Sequence, residues 1–300
     1  MKNFDFPKNT TAIIVLYGEN EKILSRNLDS LKNTKKIIID KGGDKELKKK
    51  IISKYNIEKY ILNERNIGYS AGCNQGLRLS ESKFSLIINP DCIITEKNLK
   101  ILCERIDQYK DALIVSPTSY DSANNLSFNG GPLIENQEIL KVLNLEGDTC
   151  VQRVLGACML FRTSDIKIKN LYFDENFFLY FSDDDLCRRI LSFKKSIIQI
   201  YDAICIHEHG ISKVKNIFNR IYLREYNFTY DQLYYLFKIK KHDQLFNNLS
   251  KKIINYLLKF IINFFLLRFT KCVYYYSRIL AYNKFKKKFV NYFWRDGRVV

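Results

Sequence analysis

Short β-branched runs separated by segments of helical periodicity fill the first hundred residues, and this alternation limits the fold more than any other feature. TAIIVLY at 11–17 reads as a strand, and Ile23, Leu24, Asn27, Leu28 and Leu31 then recur at helical spacing. KKIIID at 35–40 is a second strand, followed by Gly42-Gly43 and a charged helix from about Asp44 to Tyr55. KYIL at 59–62, a helix over 70–80 and FSLIIN at 84–89 continue the series, with Pro90 ending the fourth strand. Thr95 caps a helix running to about Tyr109, with Leu99, Leu102 and Ile106 inward, and ALIVSP at 112–117 is a fifth strand. The pattern predicts an α/β fold, a Rossmann-like, mostly parallel sheet with helices on both faces.

After Pro117 the periodicity loosens. Residues 118–150, rich in Ser, Asn and Gly, read as loops and short strands over one end of the sheet. VLGACMLFR at 154–162 returns to strand character, and LYFDENFFLYF at 171–181 is aromatic. DLCRRILSF then reads as a helix, with IIQI and AICIH as two later strands.

Charge divides the chain. The formal net charge is +17, but residues 211–300 hold 19 Lys/Arg against 4 Asp/Glu, so the first 210 residues are nearly neutral. The basic residues interleave with long apolar runs and form no polar face, which argues against a nucleic-acid partner. IINYLLKFIINFFLLRF at 253–269 is interrupted by Lys259 and falls short of the roughly 20 apolar residues of a membrane span. VYYYSRILAY at 273–282 and KFKKKF at 284–289 follow it. Together they predict a C-terminal basic amphipathic helical region at an anionic membrane surface, with a helical hairpin covering the body as the plainer alternative. The first residues, MKNFDFPKNT, carry no secretory apolar core, which predicts a cytoplasmic protein peripherally associated with the inner face of the plasma membrane. Eight scattered cysteines without a close pair predict buried free thiols, and neither they nor the three histidines adopt zinc-ligand spacing.

Four points near expected strand ends carry the candidate chemistry, Asp40, Asn89-Pro90-Asp91, Ser182–Asp185 and His207, and a glycine-spaced segment accompanies them. Asn66-Ile67-Gly68-Tyr69-Ser70-Ala71-Gly72-Cys73-Asn74-Gln75-Gly76 spaces three glycines four residues apart, for close packing of a helix or for a ligand that Asn and Gln could hydrogen-bond. Asp91, just past Asn89 and Pro90, is positioned to ligate a divalent cation carrying a diphosphate, Mn2+ or Mg2+. In Ser182-Asp183-Asp184-Asp185, Ser182 and Asp185 match a capping box, while a carboxylate presented at a helix start suits a general base; spacing does not select the member. His207 closes AICIH and can bind metal or donate to phosphate, as can His209.

These segments together resemble the inverting family 2 glycosyltransferases, in the rhamnosyltransferase-like branch of bacterial surface polysaccharide synthesis. NIGYSAGCNQG is similar to the family's N-x-G-x-x-x-G-x-N-x-G segment and INPD to its metal-binding strand end; GACMLFR, FDENFFLYFSDDDLCRR and HEHGIS follow in the family's order. The resemblance covers residues 10–230 and implies a GT-A fold with a nucleotide-binding half at 10–117 and an acceptor-binding half at 118–230, followed by the helical region at 231–300. It implies donor-binding roles for Tyr17, Asp40, Asn66, Gly68, Gly72, Asn74 and Asn89, with Asp40 on the uracil or thymine base. It assigns the catalytic base to Asp183, the metal to Asp91 and His207, and the acceptor side to Arg162, Asp184 and Asp185. Two departures stand out: Ser182 occupies the place of a usual Glu, and Asn89 that of the first Asp of a two-acid metal motif. The implied partners are a nucleotide-sugar donor and a lipid-linked oligosaccharide acceptor. A sugar nucleotidyltransferase would need a basic glycine loop after the first strand, where Leu16-Tyr17-Gly18-Glu19-Asn20 stands instead. The loss of the Glu beside Asp183 keeps open a non-catalytic glycan- or nucleotide-sugar-binding protein.

Overall fold

The computed structural model describes residues 6, 8–18, 20–134, 146–208, 216–240 and 249–290. The chain divides into two compact units, Met1–Glu175 with Ser182–Lys213, and Asn176–Phe181 with Val214–Val300.

The first unit opens with β1 (Thr10–Leu16), α1 (Glu21–Ser30), β2 (Lys35–Asp40), α2 (Lys45–Lys54), β3 (Lys59–Leu62), α3 (Tyr69–Leu79) and β4 (Phe84–Ile88). The expected alternation is therefore present, and β1, β2, β3 and β4 pair in parallel. Every residue of β1 and β4 is buried, because helices cover both faces. Alternate β1 residues serve different layers. Ala12, Ile14 and Leu16 pack with Leu24 and Leu28 of α1, whereas Ile13 and Val15 pack with Cys73 and Leu77 of α3. Helix starts follow the expected chemistry: Asn20, Asp44 and Thr95 each accept a backbone N–H of the helix that they cap.

The unit continues with β5 (Cys92–Ile94), α4 (Glu96–Gln108), β6 (Ala112–Tyr120), the short β7 (Leu126–Ser127), β8 (Gly130–Gly131), β9 (Thr149–Val151) and β10 (Arg153–Val154), then β11 (Cys158–Arg162) and α5 (Thr163–Ile168). It closes with α6 (Ser182–Ser192) and β12 (Ser196–His207). The main sheet runs β3-β2-β1-β4-β11-β6-β12-β5, and β11 is antiparallel to both of its neighbours. Three local expectations change. VLGACMLFR is not one strand, since β10 and β11 are separated by residues 155–157. β6 passes through Pro117, whose missing N–H falls between the β11 pairing at Ile114 and Val115 and the β7 pairing at Ser119 and Tyr120. IIQI and AICIH form one strand, because a register shift between Ile200 and Ile204 absorbs the intervening polar residues. All eight cysteines are free, and Cys150 is the exposed one.

The second unit holds α7 (Ile217–Lys238), α8 (Leu249–Phe265) and α9 (Phe269–Phe285), with a π-helical turn at Lys286–Val290. Asp231 of α7 accepts the backbone N–H groups of Phe178, Leu179 and Tyr180 at 2.9–3.1 Å, and Phe177 and Phe181 lie against Tyr234 and Tyr235. Glu225 of α7 receives Arg278 of α9 at 2.7 Å.

Candidate active site

In a parallel sheet, ligands gather where strands end at their carboxyl edge. Asp40 ends β2, Asn89-Pro90-Asp91 follows β4, and His207 ends β12. Antiparallel β11 begins at that same rim, since Cys158 stands opposite Ile88.

The turn carrying Asp91 is tightly held. Asn27 of α1, fully buried, donates its amide to the carbonyls of Asn89 and Cys92 at 3.1 and 2.6 Å. Asn89 donates its N–H to Ala157, and Glu208 donates its N–H to the carbonyl of Asp91. Antiparallel pairing of β5 with β12 sets His207 opposite Cys92, so His207 Nε2 comes 3.5 Å from Asp91 Oδ1. Two donors each about 2.1 Å from one cation lie roughly 3–3.5 Å apart, so these two atoms fit a shared divalent ion without rearrangement. Cys92 Sγ is a third possible ligand atom, all three lying within 4.8 Å of one another. Cys92 was not anticipated beside Asp91 and His207, because its place at the site comes from the pairing of β5 with β12. Cys92 also belongs to the apolar core, and burial pushes its thiol well above the ordinary range.

Asp183 occupies the first turn of α6. Its Oδ2 accepts the N–H of Gly156 at 2.8 Å and its Oδ1 that of Asp184 at 3.1 Å, while the side chain stays partly exposed. The Gly156 carbonyl in turn accepts the Tyr69 hydroxyl, and burial raises that phenol well above its usual pKa, so it remains a donor. A Cβ at Gly156 would stand 2.8 Å from the Tyr69 oxygen, so a larger residue there would displace that hydroxyl. Asp184 is buried in an ion pair with Arg153, whose guanidinium lies 4.9 Å from the Phe128 ring centre. Asp185 is buried against Arg189 at 2.9 Å. Neither carboxylate stands open to an acceptor, which corrects the expectation for both. The capping box is absent as well: Ser182 Oγ is buried with no hydrogen-bond partner among the described residues, and the acids make other bonds.

Other sequence-predicted positions separate by function. Tyr17 is partly exposed after β1, and its ring centre lies 5.8 Å from the Lys41 ammonium. Asp40 is 1% exposed; its oxygens accept the N–H of Gly42 and the Tyr60 hydroxyl at 2.7 and 2.9 Å, so it shapes the turn beside the rim. Asn66 Oδ1 accepts the N–H of Gly68, whose φ of +87° starts α3. Gly72 and Gly76 do not face a ligand: a Cβ at either would overlap Val15 or Ile13, so they allow α3 to approach β1. Asn74 is likewise internal, exchanging hydrogen bonds with both backbone groups of Phe173. Arg162 is at the wrong rim. Antiparallel β11 carries it opposite Phe84, where its guanidinium caps the C-terminal carbonyls of α4 through Ile106 and Tyr109. His209 lies outside the described residues. Asn27, Arg153 and Gly156 were not anticipated at the site; the four-residue-apart apolar face that contains Asn27 gave only a helix signal.

Comparisons with known proteins bear on the family and the fold. Residues 11–168 match the model for glycosyl transferase family 2. The low-salt glycan biosynthesis hexosyltransferase Agl10 of Haloferax volcanii is 26% identical over 220 residues, 68% of this chain and 69% of that protein. Rhamnosyltransferase WbbL of Escherichia coli K12 is 27% identical over 200 residues, 59% of this chain and 75% of its own. The structure of S. aureus TarS 1-349 in complex with UDP has a TM-score of 0.52 at 14% identity, covering 96% of this chain and 92% of that one. GalNAc-T7 with UDP, GalNAc and Mn2+ has a TM-score of 0.54 at 10% identity, covering 78% of this chain but 53% of its own. These structural likenesses speak to the fold, which is GT-A. Since the family match takes in more than half of the residues and spans β1 through α5, the chain belongs to glycosyl transferase family 2.

Proposed function

We propose that the enzyme is a metal-dependent, inverting hexosyltransferase. It moves a sugar from a nucleotide diphosphate donor, dTDP-rhamnose or a UDP-hexose, to a hydroxyl of a lipid-linked glycan in O-antigen, capsule or related polysaccharide assembly. One observation carries the reading: Gly156 and Ala157 tie Asp183 to one side of their peptides and the Asp91 turn to the other. The sugar-transfer names of Agl10 and WbbL support a hexosyl donor, and the UDP and Mn2+ of the fold neighbours support a nucleoside diphosphate with a divalent ion.

In this reading Asp183, oriented by two backbone amides, takes the proton of the acceptor hydroxyl. The deprotonating oxygen attacks the anomeric carbon opposite the diphosphate; the new C–O bond forms as the old one breaks, and the configuration inverts. A nucleoside diphosphate leaves without needing a proton, so one base suffices. Asp91 and His207 would hold the Mn2+ or Mg2+, whose Lewis acidity stabilises charge on the departing diphosphate. Tyr17, Asn66 and Gly68 line the donor side, and Asp40 braces the wall next to the base. The basic C-terminal region keeps the enzyme at an anionic membrane surface, where a lipid-linked acceptor is met by search in two dimensions.

The test is nucleotide release from dTDP-, UDP- and GDP-sugars with Mn2+, Mg2+ or EDTA, using membrane lipid extract as acceptor source. One donor should be consumed only with metal and extract. Asp183→Asn should lower turnover by about 10²–10⁴-fold while donor affinity holds. An equal loss of donor affinity would remove Asp183 from the role of base.

A further inference from the structure

α8 packs only a narrow stripe of its surface. Ile253, Tyr256, Phe260 and Asn263 recur every three or four residues on one face, and the rings of Tyr256 and Phe260 meet Tyr275, Tyr276 and Tyr282 of α9. The opposite face is apolar and open: Ile254, Leu257, Leu258, Ile261, Ile262 and Phe265 are each 42–78% exposed. Lys251, Lys252 and Lys259, all exposed, edge that face, and the helix contains no acidic residue. A contiguous apolar surface of this kind marks an interaction site.

We propose that α8 is an in-plane membrane anchor whose open face inserts among the acyl chains of an anionic bilayer. This rests on the membrane-surface part of the proposed function and deepens it, by naming the inserting face and adding an apolar contribution to charge attraction. Length excludes a span: 17 residues rise about 25 Å against a hydrocarbon core of about 30 Å, and no helix of the described residues is long and apolar enough to cross. Charge selects the bilayer over a second copy of the chain. A self-complementary pairing would bring the lysine edges of two α8 helices together, whereas anionic headgroups neutralise the same lysines. An amphipathic helix with a basic flank lies with its apolar face about 5–10 Å into the headgroup–acyl boundary.

The experiment uses the full chain, without donor, acceptor or metal, so that its result stands apart from the transferase reading. Co-flotation is measured with phosphatidylglycerol-containing and pure phosphatidylcholine vesicles, at low salt and at about 1 M NaCl, where the Debye length falls to about 3 Å. Binding to anionic vesicles should weaken but persist at high salt. The triple variant Leu257→Ser, Ile261→Ser, Phe265→Ser should bind about tenfold or more weakly at both salts, with the helical circular dichroism unchanged. Lys251→Gln, Lys252→Gln, Lys259→Gln should weaken low-salt binding and leave the high-salt remainder. Vesicle binding by the serine variant equal to the parent would overturn the proposal. So would a vesicle-independent dimer that this variant dissociates, since a second copy would then cover the face.

Discussion

The rim of the sheet and the outer face of α8 solve opposite problems. At the rim, polar groups are cross-committed: Gly156 serves Asp183 and Tyr69, Asn27 serves Asn89 and Cys92, and Arg153 serves Asp184. Buried polar groups are costly when unpaired, so this network admits few arrangements and holds the two candidate chemical groups in place. On α8, apolar side chains stay exposed, with nothing among the described residues covering them. Precision at the rim comes from hydrogen bonds that each tie two segments together. The capacity of α8 to take a partner comes from leaving burial undone.

Perturbations should rank accordingly. The largest stability loss belongs to Arg153→Ala, which takes the guanidinium from the buried Asp184 carboxylate, at about 3–5 kcal/mol in urea unfolding. Replacing the pair together, Arg153→Met with Asp184→Leu, should recover most of it. A single-variant loss below about 1 kcal/mol would mean that the network is looser than described.

Next is a pH effect on the second unit. Burial raises Asp231 to about 6, although three backbone amides pull the other way. Its folded value exceeds the unfolded value of about 3.9, so the folded state holds an extra proton between the two, and this contribution to stability falls as pH rises from about 4 to 6. The difference, about 3 kcal/mol, should appear as a pH slope in the parent that Asp231→Asn lacks. Equal slopes in the two proteins would count against it.

Asn27→Ala should cost about 1–3 kcal/mol, because two buried carbonyls lose their donor. It should also weaken Mn2+ binding, read by electron paramagnetic resonance, by about 10–100-fold if the turn aligns Asp91. Lost stability with unchanged Mn2+ affinity would reduce Asn27 to a structural pin. The smallest change is expected from the three α8 serine substitutions, at about 0.5 kcal/mol or less per site in thermal unfolding, because those side chains are already in water.

Much of the architecture was legible in the residues. Short continuous β-branched runs identified the parallel strands, and Asn20, Asp44 and Thr95 are caps by local chemistry. The strand-end logic singled out Asp91 and His207, which the fold brings 3.5 Å apart. It misled for Arg162, because nothing in GACMLFR reveals that β11 runs against its neighbours and ends at the far edge. The Asn66–Gly76 segment offered both packing and ligand readings; Gly72, Asn74 and Gly76 took the first.

Local sequence thus determined which segments are helix or strand, since backbone propensity and side-chain periodicity act over a few residues. It also set the charge asymmetry and the shortness of every apolar run in the C-terminal region. Only the tertiary structure decided which acid of Ser182–Asp185 stays partly open, because that depends on Arg153, brought to Asp184 from 31 positions away, and on Gly156, which reaches Asp183 from 27. Nor could local sequence pair Asp91 with His207, which meet through a strand pairing formed across more than a hundred residues. The same holds for α8: amphipathicity is written in its sequence, but which apolar face remains uncovered depends on the neighbour that packs the other side.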